Sequence, residues 1–177
     1  MAEFRVFAAA MALFGCCLSA SLAQAEGFDS DYEELVWEEI QPQLPAAPKA
    51  SALLPFFVSA TTDNRFFVDG DSISVGSDGV VRYTLVVISA AGARNVSYEG
   101  IRCESGERRL YAFGRNDGGW SKARGNAWAR IKDSSLNRQH AALYNEYFCP
   151  IGIVVNDAEE ARMALRAGGH PSLPRRS

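Results

Sequence analysis

Apolar and polar positions alternate most regularly over residues 79–103, GVVRYTLVVISAAGARNVSYEGIRC. Val81, Tyr83, Leu85 and Val87 run out of phase with Val80, Arg82, Thr84, Val86 and Ile88, a period of two that predicts a strand. Its second half is apolar at both parities, which predicts burial on both faces. The turn Ala90-Ala91-Gly92 leads into a second strand. There Val96 and Tyr98 share one parity and Ile101 and Cys103 the other, with Gly100 between them. A bulge at Gly100 is expected to bring all four to one face.

Strand signals continue on both sides. Upstream, Phe56, Phe57 and Val58 suit an edge strand, and residues 64–68 suit a better one. Asp69-Gly70-Asp71 reads as a turn, after which Ile73 and Val75 alternate with Ser72 and Ser74. Gly76-Ser77-Asp78-Gly79 then closes a hairpin. Downstream, Ser105-Gly106 turns into Leu110, Tyr111, Ala112 and Phe113, a third long strand, followed by the turn Asn116-Asp117-Gly118-Gly119. Residues 121–132 fit a helical turn or a short strand equally well.

The period changes near the C-terminus. Leu136, His140, Leu143, Tyr144, Tyr147 and Phe148 recur at three- and four-residue steps, predicting a helix over about residues 135–148 that stops before Pro150. Residues 151–155 suit a last strand. Asp157 caps a second helix with Glu160 reaching back, Ala161, Ala164 and Leu165 form its inner stripe, and Gly168-Gly169 ends it. The fold class expected is α+β: an antiparallel β-meander of about five strands packed by two C-terminal helices.

The N-terminus follows different rules. Arg5 precedes an almost wholly apolar run over residues 6–18, and small residues lead to Ala23-Gln24-Ala25. That is the layout of a signal peptide, and the run is short for a membrane span. Cleavage near Ala25 and a periplasmic or secreted product are expected. Leu13-Phe14-Gly15-Cys16 offers the alternative of lipid anchoring at Cys16. No transmembrane helix is expected in the mature chain. Residues 26–39 hold seven acids and no base, around Tyr32, Leu35, Val36 and Trp37. They suit a short amphipathic helix docked by Trp37, or a solvated acidic tail. Pro42, Pro45, Pro48 and Pro55 then make an extended connector lying along the body. The expected divisions are 1–25 signal peptide, 26–55 acidic segment and connector, 56–169 α+β domain, and 170–177 a frayed tail.

Composition sharpens this. The chain has 177 residues, 47% of them hydrophobic and 22% charged, with a formal net charge of −3. A dedicated nucleic-acid binder would usually be basic, so no nucleic-acid partner is expected. Removal of the leader takes Cys16 and Cys17 and leaves Cys103 and Cys149. In an oxidising compartment these two are expected to form a disulfide. Closing a loop of that length is worth about 4 kcal/mol.

Catalytic signatures are few. The sequence has no phosphate-cradling glycine loop, H-E-x-x-H, G-x-S-x-G or zinc spacing, and no cofactor is expected. His140 falls on the apolar parity of its helix, where a lone histidine is more often packed than catalytic. A hydrolase using His140 with a nearby acid stands as the alternative. The leading candidate is a basic stretch over residues 108–138, where eight Lys and Arg face only Asp117 and Asp133. Arg115, Lys122, Arg124 and Arg130 alternate there with Trp120 and Trp128, which suits an anionic or stacking ligand such as a glycan, a lipid head group or an acidic protein segment. The bland reading makes both tryptophans core and the charges a solvated face. The acidic residues 26–39 have the opposite sign and are able to fold back and occlude this face.

FFVDGDSISVGSDGVVRYTLVV, GARNVSYEGIRC, RRLYAFG, GGW and NEYFCP together resemble the CNP1-like family of exported bacterial proteins, over about residues 37–169. Cys103 and Cys149 fit the paired cysteines of that pattern. The resemblance implies no activity, cofactor or catalytic residue. The function expected is that of an exported cell-envelope protein, a non-enzymatic binding or scaffolding module with an envelope protein, glycan or anionic ligand as partner.

Overall fold

The computed structural model describes residues 36–134 and 138–174. The expected signal peptide, the anchoring site at Cys16, the acidic residues 26–35 and the helix position Leu136 lie outside them. Among the described residues, one antiparallel sheet holds seven strands: β1 Leu53–Pro55, β2 Arg65–Val75, β3 Val80–Ile88, β4 Arg94–Arg102, β5 Glu107–Gly114, β6 Trp120–Lys122 and β7 Ala129–Arg130. Strands β1 to β6 lie side by side in chain order, and β7 pairs with the other end of β5. The expected meander is therefore present, with more strands than the five read from pattern. The additional ones are short pieces at the two edges.

The most regular stretch lies at the centre. All of Val80–Val86 is buried. One parity, Val81, Tyr83 and Leu85, joins Ile101, Cys103, Leu143, Tyr147, Phe148 and Leu165 in the main core. The other parity carries Arg82 and Thr84 beneath the N-terminal connector, whose Ile40 carbonyl accepts from Arg82 Nη2 at 2.8 Å. Gly79, at φ 73°, and Gly92, at φ 84°, supply the left-handed backbone that the two flanking hairpins need.

Helix α1, Arg138–Ala142, runs on as a π-helical stretch, Leu143–Phe148. Its last bond is from Cys149 N to Tyr144 O, 3.0 Å. The Cys103–Cys149 disulfide fixes this end to the end of β4. Helix α2, Ala158–Ala167, starts as expected, with Asp157 Oδ1 accepting from Glu160 N at 2.9 Å. Glu160 reaches back one residue further than a capping box, to Asn156 N. The helix ends in a left-handed Gly168. Among the described residues no helix is long and apolar enough to cross a membrane.

Five local expectations are corrected. The edge strand is Leu53–Pro55 rather than residues 56–58. Residues 69–71 do not separate two strands but lie in a register irregularity within β2, between Asp69 and Ser74. There Ser72 Oγ accepts from Thr84 N at 2.8 Å, taking the place of the ladder carbonyl that the irregularity removes. The bulge next to β4 belongs to β5. Tyr98 pairs with Ala112 and Glu99 with Leu110, so Tyr111 is the extra residue. Val96 and Tyr98 thus stay on the face opposite Ile101 and Cys103. Residues 151–155 form no strand, because Pro150–Gly152 is a 3₁₀ turn with Ile151 at φ 52°. Finally, Val36 to Glu39 carry no helix. After α2, His170 N–H donates to Glu146 O at 2.7 Å, and its Nε2 lies 3.1 Å from Glu160 Oε1.

Candidate anion-binding face

The site grows from one row of the sheet. Arg82 on β3, Gly100 on β4 and Arg109 on β5 are direct cross-strand neighbours. A Cβ on Gly100 would stand 2.4 Å from Tyr111 Oη. The missing side chain is what lets the bulged Tyr111 ring lie over the sheet between the two arginines.

The connector drops a carboxylate onto that row. Glu39 Oε1 accepts from Tyr111 Oη at 2.7 Å. Its Oε2 accepts from Arg109 Nη1 and, at 3.1 Å, from Trp128 Nε1. Arg82 Nη2 stands 3.6 Å away. The Glu39 side chain is 10% exposed, so these donors replace most of its water. Arg82 is held more tightly by Asp78, with Nη2 to Oδ2 at 2.6 Å and Nη1 to Oδ1 at 3.2 Å. Asp78 also takes Ile40 N at 2.9 Å, and its carbonyl takes Trp37 Nε1 at 2.8 Å. The Trp37 ring meets Trp128 edge to face, and the Arg102 guanidinium sits 4.0 Å above it.

The protonation states follow from these contacts. Burial alone would lift the Asp78 carboxyl, but the Arg82 guanidinium and the Ile40 N–H outweigh it and hold it below the usual carboxylate range. Burial would lower Arg82, and Asp78 reverses that. Burial lifts the Tyr111 phenol well above its ordinary value, and donation to Glu39 adds to the effect. The cradle is therefore two cations and two neutral donors around one carboxylate.

The six residues singled out from sequence fall in four places. Trp128 belongs to the cradle. Trp120 anchors the connector elsewhere, through Nε1 to Pro45 O at 2.8 Å, and packs 6.1 Å from Tyr98. Arg115, at the exposed β5–β6 turn, pairs with Asp117. Lys122, Arg124 and Arg130 are exposed along the β6–β7 edge, Arg130 opposite Glu107. Both tryptophans are thus half-buried fasteners, closer to the bland reading, while three of the charges remain on a solvated edge. Of the acidic segment's described residues, Glu39 is the acid that meets this face. The sequence reading did not choose Arg82, Asp78, Arg109 or Tyr111. The available signal was Arg82 itself, a lone charge inside an otherwise apolar strand.

His140 lies on the opposite side of the sheet, 4% exposed. Its Nε2 is 2.8 Å from Glu99 Oε2, and Glu99 also accepts from Ser97 Oγ at 2.6 Å and Tyr83 Oη at 3.2 Å. Burial would lift the Glu99 carboxyl, but His140, Ser97 and Arg108 together outweigh it and hold it below the usual range. The ring is packed in the core, and nothing in this geometry favours a hydrolase. Among the described residues no group of three or more His, Cys, Asp or Glu is placed to hold a metal ion.

The sequence model of the CNP1-like family matches residues 32–166. No curated protein and no solved structure matches the chain.

Proposed function

We propose that this chain, which belongs to the CNP1-like family, is an exported, non-enzymatic binding module whose basic, tryptophan-bearing side takes anionic partners in the cell envelope. The observation that carries this reading is the Glu39 carboxylate received by Arg109, Tyr111 and Trp128. The chain's own acid displays the chemistry this side of the sheet accepts. Export is supported by the signal-peptide pattern at residues 1–25 and by a disulfide of the kind that persists in oxidising compartments.

Glu39 also competes with any incoming anion. Glu39→Gln keeps the shape and removes the charge, so the folded variant is expected to bind immobilised polyglutamate about 3- to 10-fold more tightly than wild type, the range set by one lost like-charge contact at a partly screened site. Replacing Lys122, Arg124 and Arg130 together by alanine is expected to weaken the same binding and flatten its salt dependence. If neither wild type nor Glu39→Gln is retained at low salt while both melt cooperatively, the face is not a binding surface.

A further inference from the structure

Beside the Glu39 cradle lies a cavity of about 400 Å³, between the connector and the β5–β6 edge. We propose that it is a binding site for a hydroxylated monocarboxylate of the sugar-acid class; this rests on the reading above and narrows it to one pocket and one chemistry.

Three observations carry the assignment. First, the cavity has unused positive charge. Lys122 lines it, and its ammonium makes no hydrogen bond or ion pair among the described residues. Arg109 lines it too, with its Nη1 already given to Glu39 Oε2. The unpaired ammonium of the exposed Lys122 is free to donate charge-assisted hydrogen bonds to a ligand carboxylate. Second, the primary amides of Gln41 and Asn126 line the same space and are likewise unpartnered among the described residues. Each is able to donate and accept at once, which matches neighbouring hydroxyls on a sugar ring. Third, Leu44 borders the cavity at 55% exposed, an apolar surface of the kind that packs on the C–H face of a ring.

Glu39 decides the charge of the ligand. With its carboxylate among the lining groups, two cations are already offset by one anion, so a monoanion is favoured over a phosphate dianion. Hydroxyl groups on the ligand also have Glu39 as an acceptor, which a simple inorganic anion would not use. The volume lies in the range of small-ligand pockets.

The test uses the full chain, isotope-labelled and observed by NMR. D-galacturonate is titrated as the free sugar acid, trigalacturonate as the same group within a glycan, and D-galactose as the uncharged control. The side-chain amide resonances of Gln41 and Asn126 are expected to shift saturably with at least one uronate and not with galactose. Lys122→Ala is expected to raise the dissociation constant at least five-fold with the spectrum otherwise unchanged. Tighter binding of the trimer would identify a glycan as the source; equal binding would identify the free acid. No saturable shift with either uronate, equal shifts with galactose, or an unchanged Lys122→Ala constant each overturns the inference. Retention on polyglutamate is read on Lys122, Arg124 and Arg130 together, of which only Lys122 lines this cavity. Retention without uronate binding therefore overturns the pocket alone, and loss of both overturns the broader reading as well.

Discussion

Asp78→Ala is expected to destabilise the folded chain by about 3 kcal/mol, near the lower end of what breaking a buried ion pair costs. The Asp78 and Arg82 side chains are 2% and 5% exposed, so the variant leaves a guanidinium buried without its main partner. Glu39, 3.6 Å from Arg82, softens the loss, which is why the lower end applies. The same substitution removes the acceptor for Ile40 N and frees that part of the connector. Urea unfolding of the two proteins measures the difference. Its pH dependence has a definite sign. The folded-state Asp78 carboxyl lies below its ordinary value, so its contribution is complete above the unfolded pKa of about 3.9 and is lost as pH falls through the folded value. The gap between wild type and Asp78→Ala is therefore expected to be constant near neutral pH and to narrow in acid.

Removing the disulfide is expected to cost about 4 kcal/mol, the chain-entropy value for a loop of this size. Cys103 and Cys149 are 46 residues apart in sequence and both almost fully buried. Alanine at both positions leaves the π-helical stretch attached to the end of β4 by weaker ties, such as Tyr144 Oη donating to Cys103 O at 3.2 Å. The double variant is expected to unfold at clearly lower urea concentration than the oxidised protein, and reduction of wild type is expected to reproduce most of that shift. Coincident curves for all three would mean that the bond is not formed in solution.

What the sequence disclosed depended on how local the physics was. Val81, Tyr83 and Leu85 announced a strand because their alternation is set by the pleat alone. Asp157 and Gly168 announced the ends of a helix because caps act within a few residues. Gly100 carried a signal with two meanings. A glycine in a strand marks a bulge or a close approach; here the bulge sits in the neighbouring strand and the glycine makes room for Tyr111. The edges were hardest. Leu53–Pro55 became a strand only because β2 offers it a partner.

The site was less legible than the sheet for the same reason. Arg82 looked like the polar parity of a half-covered strand. Its cover comes from Ile40, 42 residues upstream, and no periodicity reports a contact of that span. The indole N–H groups of Trp120 and Trp128 fasten the connector through Pro45 and Glu39, contacts that no local pattern reports. Lys122, Arg124 and Arg130 kept the exposed character that the charge count suggested. His140 illustrates the opposite case. Its place on an apolar stripe was enough to expect a packed ring, and the ring is packed against Glu99.

A double-mutant cycle between Glu39→Gln and Arg109→Gln, read by urea unfolding, tests most directly whether the connector's acid is held on the basic face. The side chains are 10% and 27% exposed, so partial screening applies, and a coupling energy of about 1–2 kcal/mol is expected. Additivity of the two substitutions to within about 0.3 kcal/mol would show that Glu39 is not seated there and would contradict the proposed cradle.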